Sequence, residues 1–253
     1  MTFIAALAAF AAMPQRVAAG GSDAFALSPA ADLTLGVAAA TAFVTGRLID
    51  PAPSTAFEFG WPDEVLRAPY SAGLDAASAA VAALGLAGLP FLLDRFDASS
   101  ILTVGLMYAE AALLSFGAKD ILKAAVGRPR PYLAGGARAP GLPEPDEDYE
   151  SFPSGHTTLA FMTAGFCTAV FAAGDASPAA KWAMGLASHG LAAAVAALRV
   201  ASGAHYPLDA LAGAALGSAV GFLVPLAHAR GDERGLEASV AAAPLGLSIS
   251  FSL

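Results

Sequence analysis

Cysteine is nearly absent: Cys167 is the only one in 253 residues. A single thiol excludes an intramolecular disulfide and any zinc site built on several cysteines. Charge is scarce too, at 13% of residues, about half the roughly 25% usual in soluble domains. Cations are the scarcer sign: 13 Lys and Arg stand against 21 Asp and Glu, a net charge of −8. Nucleic acid is therefore a poor partner, because a phosphate backbone needs clustered Lys and Arg. One phosphate group is not excluded, since a few local cations can hold it inside an acidic protein. No internal repeat of fixed period is present.

What replaces charge is apolar surface. Hydrophobic residues make up 57% of the chain, and the mean hydropathy is +0.62. Alanine and glycine are prominent, which suits closely packed helices in lipid. Five nearly uncharged runs approach the length that crosses a hydrocarbon core of about 30 Å: Ala76–Leu93, Ala98–Ala118, Thr157–Gly174, Trp182–Leu198 and Ala210–Ala227. Backbone amides have no water to bind there, so helices are expected. A sixth run, 33–46, is short for a span and reads as an interfacial helix. The fold expected is all-α, an integral membrane helical bundle with five or six transmembrane helices.

The remaining segments set the boundaries. Residues 1–19 read as a signal peptide, with an apolar Phe3–Met13 stretch and small residues Val17 and Ala19 before Gly20, or as an N-terminal helix. Residues 20–73 read as an interfacial and loop region, rich in proline after position 50. Residues 74–229 form the membrane-embedded domain. The tail 230–253 ends in an alternating strand-like pattern without an evident role.

Polar residues concentrate in three short motifs. Lys123 opens KAAVGRPRP, with Arg130 and Pro131 at Lys-x6-Arg-Pro spacing. Residues 153–156 read PSGH. Arg199 opens RVASGAHYPLD, placing His205 and Asp209 at Arg-x5-His-x3-Asp spacing. Each motif falls at the end of an expected helix. Three successive crossings would bring all of them to one membrane face.

In these motifs and their order, the chain resembles the type-2 phosphatidic acid phosphatase superfamily, which includes lipid phosphatases, class A acid phosphatases and vanadium haloperoxidases. The resemblance covers about 98–227. One departure is Leu198, where the family usually has Ser. Residue chemistry fits: Lys123, Arg130 and Arg199 are cations able to hold a phosphate. Ser154 and the Gly155 amide precede a helix whose N-terminus attracts an anion. The resemblance implies that His205 is the nucleophile, forming a phosphohistidine. It implies that His156 is the acid and then the base, and that Asp209 accepts a hydrogen bond from the His205 ring. Chemistry alone leaves open which histidine attacks.

The implied reaction is hydrolysis of a phosphomonoester or terminal diphosphate on a membrane lipid, with no cofactor and no metal. The membrane and a lipid phosphate are the expected partners, and no nucleic acid. If 1–19 are cleaved on export and 33–46 lies on the surface, five crossings put the site on the periplasmic face of a bacterial inner membrane; if 33–46 spans, an exported N-terminus puts it in the cytoplasm, and the Lys and Arg of the loops do not decide between them. One alternative is a soluble-substrate acid phosphatase or haloperoxidase on the same site. Another is a non-catalytic protein that binds or scrambles lipid phosphates.

Three further features stand outside the motifs. Glu110 is an acid inside an expected span, there to pair with Lys119 or a neighbouring helix, or to face a polar cavity. His189 and His228 read as structural histidines. The acidic stretch 144–150 reads as a solvated loop, or as a screen that repels soluble anions.

Overall fold

The computed structural model describes residues 24–51, 53–54, 60, 62–87, 98–133, 141–143, 145–229, 237–243 and 246–252. Segment 1–19, with its signal-peptide reading, lies outside them. Six α-helices occur among the described residues: α1 (Pro29–Leu48), α2 (Ala72–Ala87), α3 (Ala98–Val126), α4 (Gly155–Ala172), α5 (Pro178–Ala201) and α6 (Pro207–His228). Two antiparallel strands, β1 (Glu237–Ala243) and β2 (Gly246–Ser252), pair from Glu237 opposite Ser252 to Ala243 opposite Gly246. The strand-like tail pattern thus falls in a hairpin appended to a helical bundle.

Helix starts follow local chemistry. Pro29, Pro178 and Pro207 stand at first-turn positions, where a missing N–H costs no helical bond. The Ser177 hydroxyl accepts from Ala180 N and so caps α5. The helices α3, α5 and α6 are long and apolar enough to cross a membrane. Their outer surfaces agree with that solvent: Leu102, Trp182, Leu186, Leu211 and Leu223 are all more than 60% exposed. Water would penalise such a surface, whereas lipid tails do not.

The packing between helices depends on small residues. Gly213, Gly217 and Gly221 recur every four residues on α6 and face α4. A Cβ at Gly217 would come within 2.1 Å of the Thr158 carbonyl oxygen, and one at Gly221 within 2.3 Å of that of Met162. Main chains of α4 and α6 therefore touch along this stripe. Met107, Met162, Phe166, Val170 and Val224 fill the apolar core.

The segment expected on the surface at 33–46 belongs to a longer helix. At 20 residues, α1 extends about 30 Å at 1.5 Å per residue. It lies beside α3 and runs parallel to it. Asp32 lies near Glu110, the Phe43 ring packs on Phe116, and Arg47 reaches Asp120 at 3.6 Å. A Cβ at Gly117 would strike the backbone of Ala42 and Phe43 at 2.4 Å, so this contact too requires glycine. The far end of α1 is tied to the end of α6, where Ala26 N donates to the His228 carbonyl at 2.9 Å. The chain therefore enters α1 at one end of the bundle, and α1, α3 and α5 all finish at the other.

Candidate active site

That finishing end gathers the motifs. Lys123 occupies the last turn of α3 and Arg199 the last turn of α5. Ser154 is the N-cap of α4, with Gly155 and His156 opening that helix. His205 sits in the short link between α5 and α6, and Asp209 lies in the first turn of α6. The link turns at Gly203, whose φ is +69° and whose Cβ would meet the Ala68 carbonyl oxygen at 2.5 Å. Only glycine fits both conditions.

His205 is 3% exposed. Its Nδ1 lies 2.7 Å from the Ser151 carbonyl oxygen. A carbonyl only accepts, so Nδ1 carries the hydrogen and Nε2 keeps a lone pair. Nε2 lies 3.5 Å from Arg130 Nη1. Burial holds the imidazole pKa well below its ordinary 6.5, and the positive charges of Arg130, Arg199 and Lys123 press it further the same way. The ring is thus neutral, with its free nitrogen facing cations that are remote from it in sequence.

Asp209 does not take the part expected of it. Its nearer oxygen is 3.7 Å from His205 Nδ1, beyond hydrogen-bond range. Its carboxylate is already occupied. Arg128 Nη1 donates to Oδ1 at 2.6 Å, while Ser151 Oγ at 2.6 Å and Tyr206 N at 2.9 Å donate to Oδ2. The ring is oriented by the Ser151 main chain, and Asp209 fixes Ser151 from behind. Arg128 also binds Asp63 Oδ2 at 2.6 Å, and Asp63 Oδ1 accepts from Leu208 N. The guanidinium lies over the Tyr206 ring at 4.0 Å. This buried Asp63–Arg128–Asp209 chain locks the loop before α2 to the start of α6.

Each motif cation meets a carboxylate. Lys123 Nζ binds Glu150 Oε2 at 2.9 Å. Arg130 Nη2 binds Glu147 Oε2 at 2.9 Å, and its Nε donates to the Glu147 carbonyl oxygen. Arg199 pairs with Asp75 and approaches Ser78 Oγ at 3.4 Å. Arg199 Nε is buried with no hydrogen-bond partner among the described residues. The 144–150 stretch is therefore not simply solvated: Glu147 and Glu150 fold onto the cationic cluster. The Ser154 hydroxyl accepts from Thr157 Oγ1 and makes no bond to a first-turn amide. The N-terminus of α4 consequently keeps its amide dipoles uncapped by a side chain. His156 is exposed at this mouth.

Other side chains carried weaker signals. Lys119 is buried, lies over Gly155, and pairs with Asp120. Its place one turn before Lys123 puts both on one helix face, which was readable. Arg128 sits inside KAAVGRPRP but off the motif spacing. Asp63, Ser78 and Ser151 had no local signal, because the site groups they meet, Arg128, Arg199 and Asp209, are remote from them in sequence. Glu110 faces His228 Nε2 at 3.2 Å and not Lys119. His189 is structural: its Nδ1 meets the Gly185 carbonyl oxygen, and its ring stacks on Phe222.

Two solved structures resemble the chain. One is LpxE from Aquifex aeolicus, 22% identical with a TM-score of 0.42, covering 68% of this chain and 98% of that one. The other is a transmembrane PAP2-type phosphatidylglycerolphosphate phosphatase from Bacillus subtilis, 20% identical with a TM-score of 0.44, covering 88% and 91%. No curated protein matches. The model of the PAP2 superfamily matches residues 101–232, more than half of the chain and every motif described above, and the chain belongs to that superfamily.

Proposed function

We propose that the protein hydrolyses a phosphomonoester or terminal diphosphate on a membrane lipid through a phosphohistidine on His205. One observation carries the reading: the Ser151 carbonyl holds His205 Nδ1, so the unprotonated Nε2 faces Arg130 inside a cluster of buried cations. A neutral imidazole beside a cationic cradle suits attack on a phosphoryl group.

The substrate phosphate enters against Lys123, Arg130, Arg199 and the α4 N-terminus at Ser154 and Gly155. It displaces the Glu147 and Glu150 carboxylates and takes the unpartnered Arg199 Nε as a further donor. His205 Nε2 attacks phosphorus, forming an N–P bond as the P–O bond to the lipid breaks. His156, protonated, gives its proton to the leaving oxygen. Water then attacks the phosphohistidine while His156 takes back a proton. Inorganic phosphate leaves and His205 is regenerated. Asp209 acts through Ser151, keeping the acceptor of Nδ1–H in place.

Exposed leucines around the bundle and the opening of the site at a helix-end face support a substrate that stays in the bilayer. The site faces the periplasm of a bacterial inner membrane in this proposal. Because α1 runs beside α3, that side requires the residues just before α1 to be cytoplasmic.

The test is phosphate release from a panel of lipid phosphates by the protein in detergent. His205→Ala is expected to abolish turnover while keeping the elution volume and helical circular dichroism of the wild type. An acid-labile, base-stable phosphoryl adduct is expected in rapidly quenched wild type and not in the variant. Wild-type turnover by His205→Ala would overturn the assignment.

A further inference from the structure

We propose that Asp32, Glu110 and His228 form a binding site for a divalent transition-metal ion, at the end of the bundle remote from the phosphatase site. The three come from three helices: the first turn of α1, the body of α3 and the last residue of α6. Asp209 and His228 are 19 positions apart on α6, about 28 Å along its axis at 1.5 Å per residue. Neither Glu110 nor His228 has a part in phosphoryl transfer.

The imidazole is set up as a ligand. His228 Nδ1 lies 2.8 Å from the Val224 carbonyl oxygen, so Nδ1 carries the hydrogen and Nε2 offers its lone pair. A backbone carbonyl on the second nitrogen is the usual support for a metal-bound histidine. Nε2 lies 2.9 Å from Asp32 Oδ1 and 3.2 Å from Glu110 Oε2. All three donor atoms fall within 4.8 Å of one another. Metal–ligand bonds of about 2.0–2.1 Å in a tetrahedron put ligand atoms roughly 3.3 Å apart. The two edges at Nε2, 2.9 and 3.2 Å, are close to that value.

Charge points the same way. Glu110 is 5% exposed, and apart from the His228 contact its Oε2 has no hydrogen-bond partner among the described residues. Two carboxylates and a lone pair turned on one point in an apolar bundle suit a cation, since buried charges are paired or bind metals. A proton on Nε2 would serve Asp32 best, at 2.9 Å against 3.2 Å for Glu110, and would leave a net negative charge on the group. A dication engages all three atoms and brings the group to neutrality. One imidazole with two carboxylates suits zinc, cobalt or manganese better than magnesium, which prefers oxygen and water. The ion would clasp α1 to α3 and α6, where Ala26 N already bonds the His228 carbonyl.

The probes are Zn2+ and Co2+, added to full-length protein in detergent after stripping with EDTA. Wild type is expected to retain one zinc per chain after desalting and to melt at a higher temperature with zinc than without. Its cobalt form is expected to show visible d–d absorption. His228→Gln and Glu110→Gln are expected to weaken zinc binding at least roughly tenfold and to remove the thermal shift. Asp32→Asn, on the partly accessible edge, is a milder third variant. Phosphate release is expected to persist in the stripped wild type. The site is refuted if stripped wild type retains no zinc and gains no thermal stability. It is refuted equally if His228→Gln binds zinc as the wild type does.

Discussion

A histidine that must attack phosphorus has to be unprotonated where the enzyme works. His205 achieves this chiefly by burial and secondarily through Arg130, Arg199 and Lys123, while its bond to the Ser151 carbonyl pulls the other way. The consequence for pH follows from the sign of the shift. An unfolded histidine takes up a proton near pH 6.5; the folded one resists until well below that. The unfolded state therefore binds more protons, and the contribution of this residue to stability falls as pH drops through about 6.5. In the phosphate-free protein at pH 5.5, a 15N spectrum of labelled histidine should show the His205 ring neutral, with Nδ1 protonated and Nε2 bare. An imidazolium signal for His205 at that pH would contradict the geometry. Asp209 teaches the complementary lesson. Its spacing of four from His205 suggested direct contact with the ring, yet three better-placed donors hold its carboxylate.

At the scale of elements, the acidic loop and the glycine stripe each make a prediction. Glu147 and Glu150 occupy the cations that a phosphate needs, so a substrate must compete with them. Glu147→Gln and Glu150→Gln remove that competition at nearly constant shape. Each should lower KM, with the double variant lowest, and the gain should be larger for a soluble phosphate monoester than for a lipid phosphate. Raised KM for both substrates would mean that the carboxylates position the cations and do not screen them. On α6, Gly217→Ala forces a methyl into the Thr158 carbonyl. Overpacking of this kind costs about 1–3 kcal/mol, and the melting temperature in detergent should fall. Gly190→Ala on α5 meets open space and should leave it unchanged or slightly raised, since alanine favours helix. The helices around the motifs were legible because long uncharged runs leave few alternatives in lipid, and the motif residues because their spacing coincided with helix ends. The length of α1 was not, because Asp32 and Arg47 bound its uncharged run at fourteen residues although both lie inside the helix. Asp32 finds His228 and Arg47 finds Asp120, contacts that no local pattern announces. Asp63 and Ser151 were invisible for the same reason.

Over the whole molecule, the parallel course of α1 and α3 fixes a relation that composition left open. Residues just before α1 and just after α6 lie at one end, and the phosphatase site at the other. A site facing the periplasm therefore requires the link between α4 and α5 to be cytoplasmic. Cys167 is buried, so single introduced cysteines can report sidedness without background. Glu64 is exposed in the loop that carries Asp63, at the site end, and Ala173 is exposed at the close of α4, at the far end. In intact cells, a membrane-impermeant maleimide should label Glu64→Cys and spare Ala173→Cys. Permeabilisation should make Ala173→Cys reactive. Both proteins should keep phosphatase activity before labelling, since neither side chain touches the cationic cluster. The reverse pattern would place the histidine in the cytoplasm, and the substrate would then be a lipid phosphate of the inner leaflet. Labelling of both residues in intact cells would mean that α4 does not cross the bilayer, because two ends separated by a bilayer cannot both meet the same reagent.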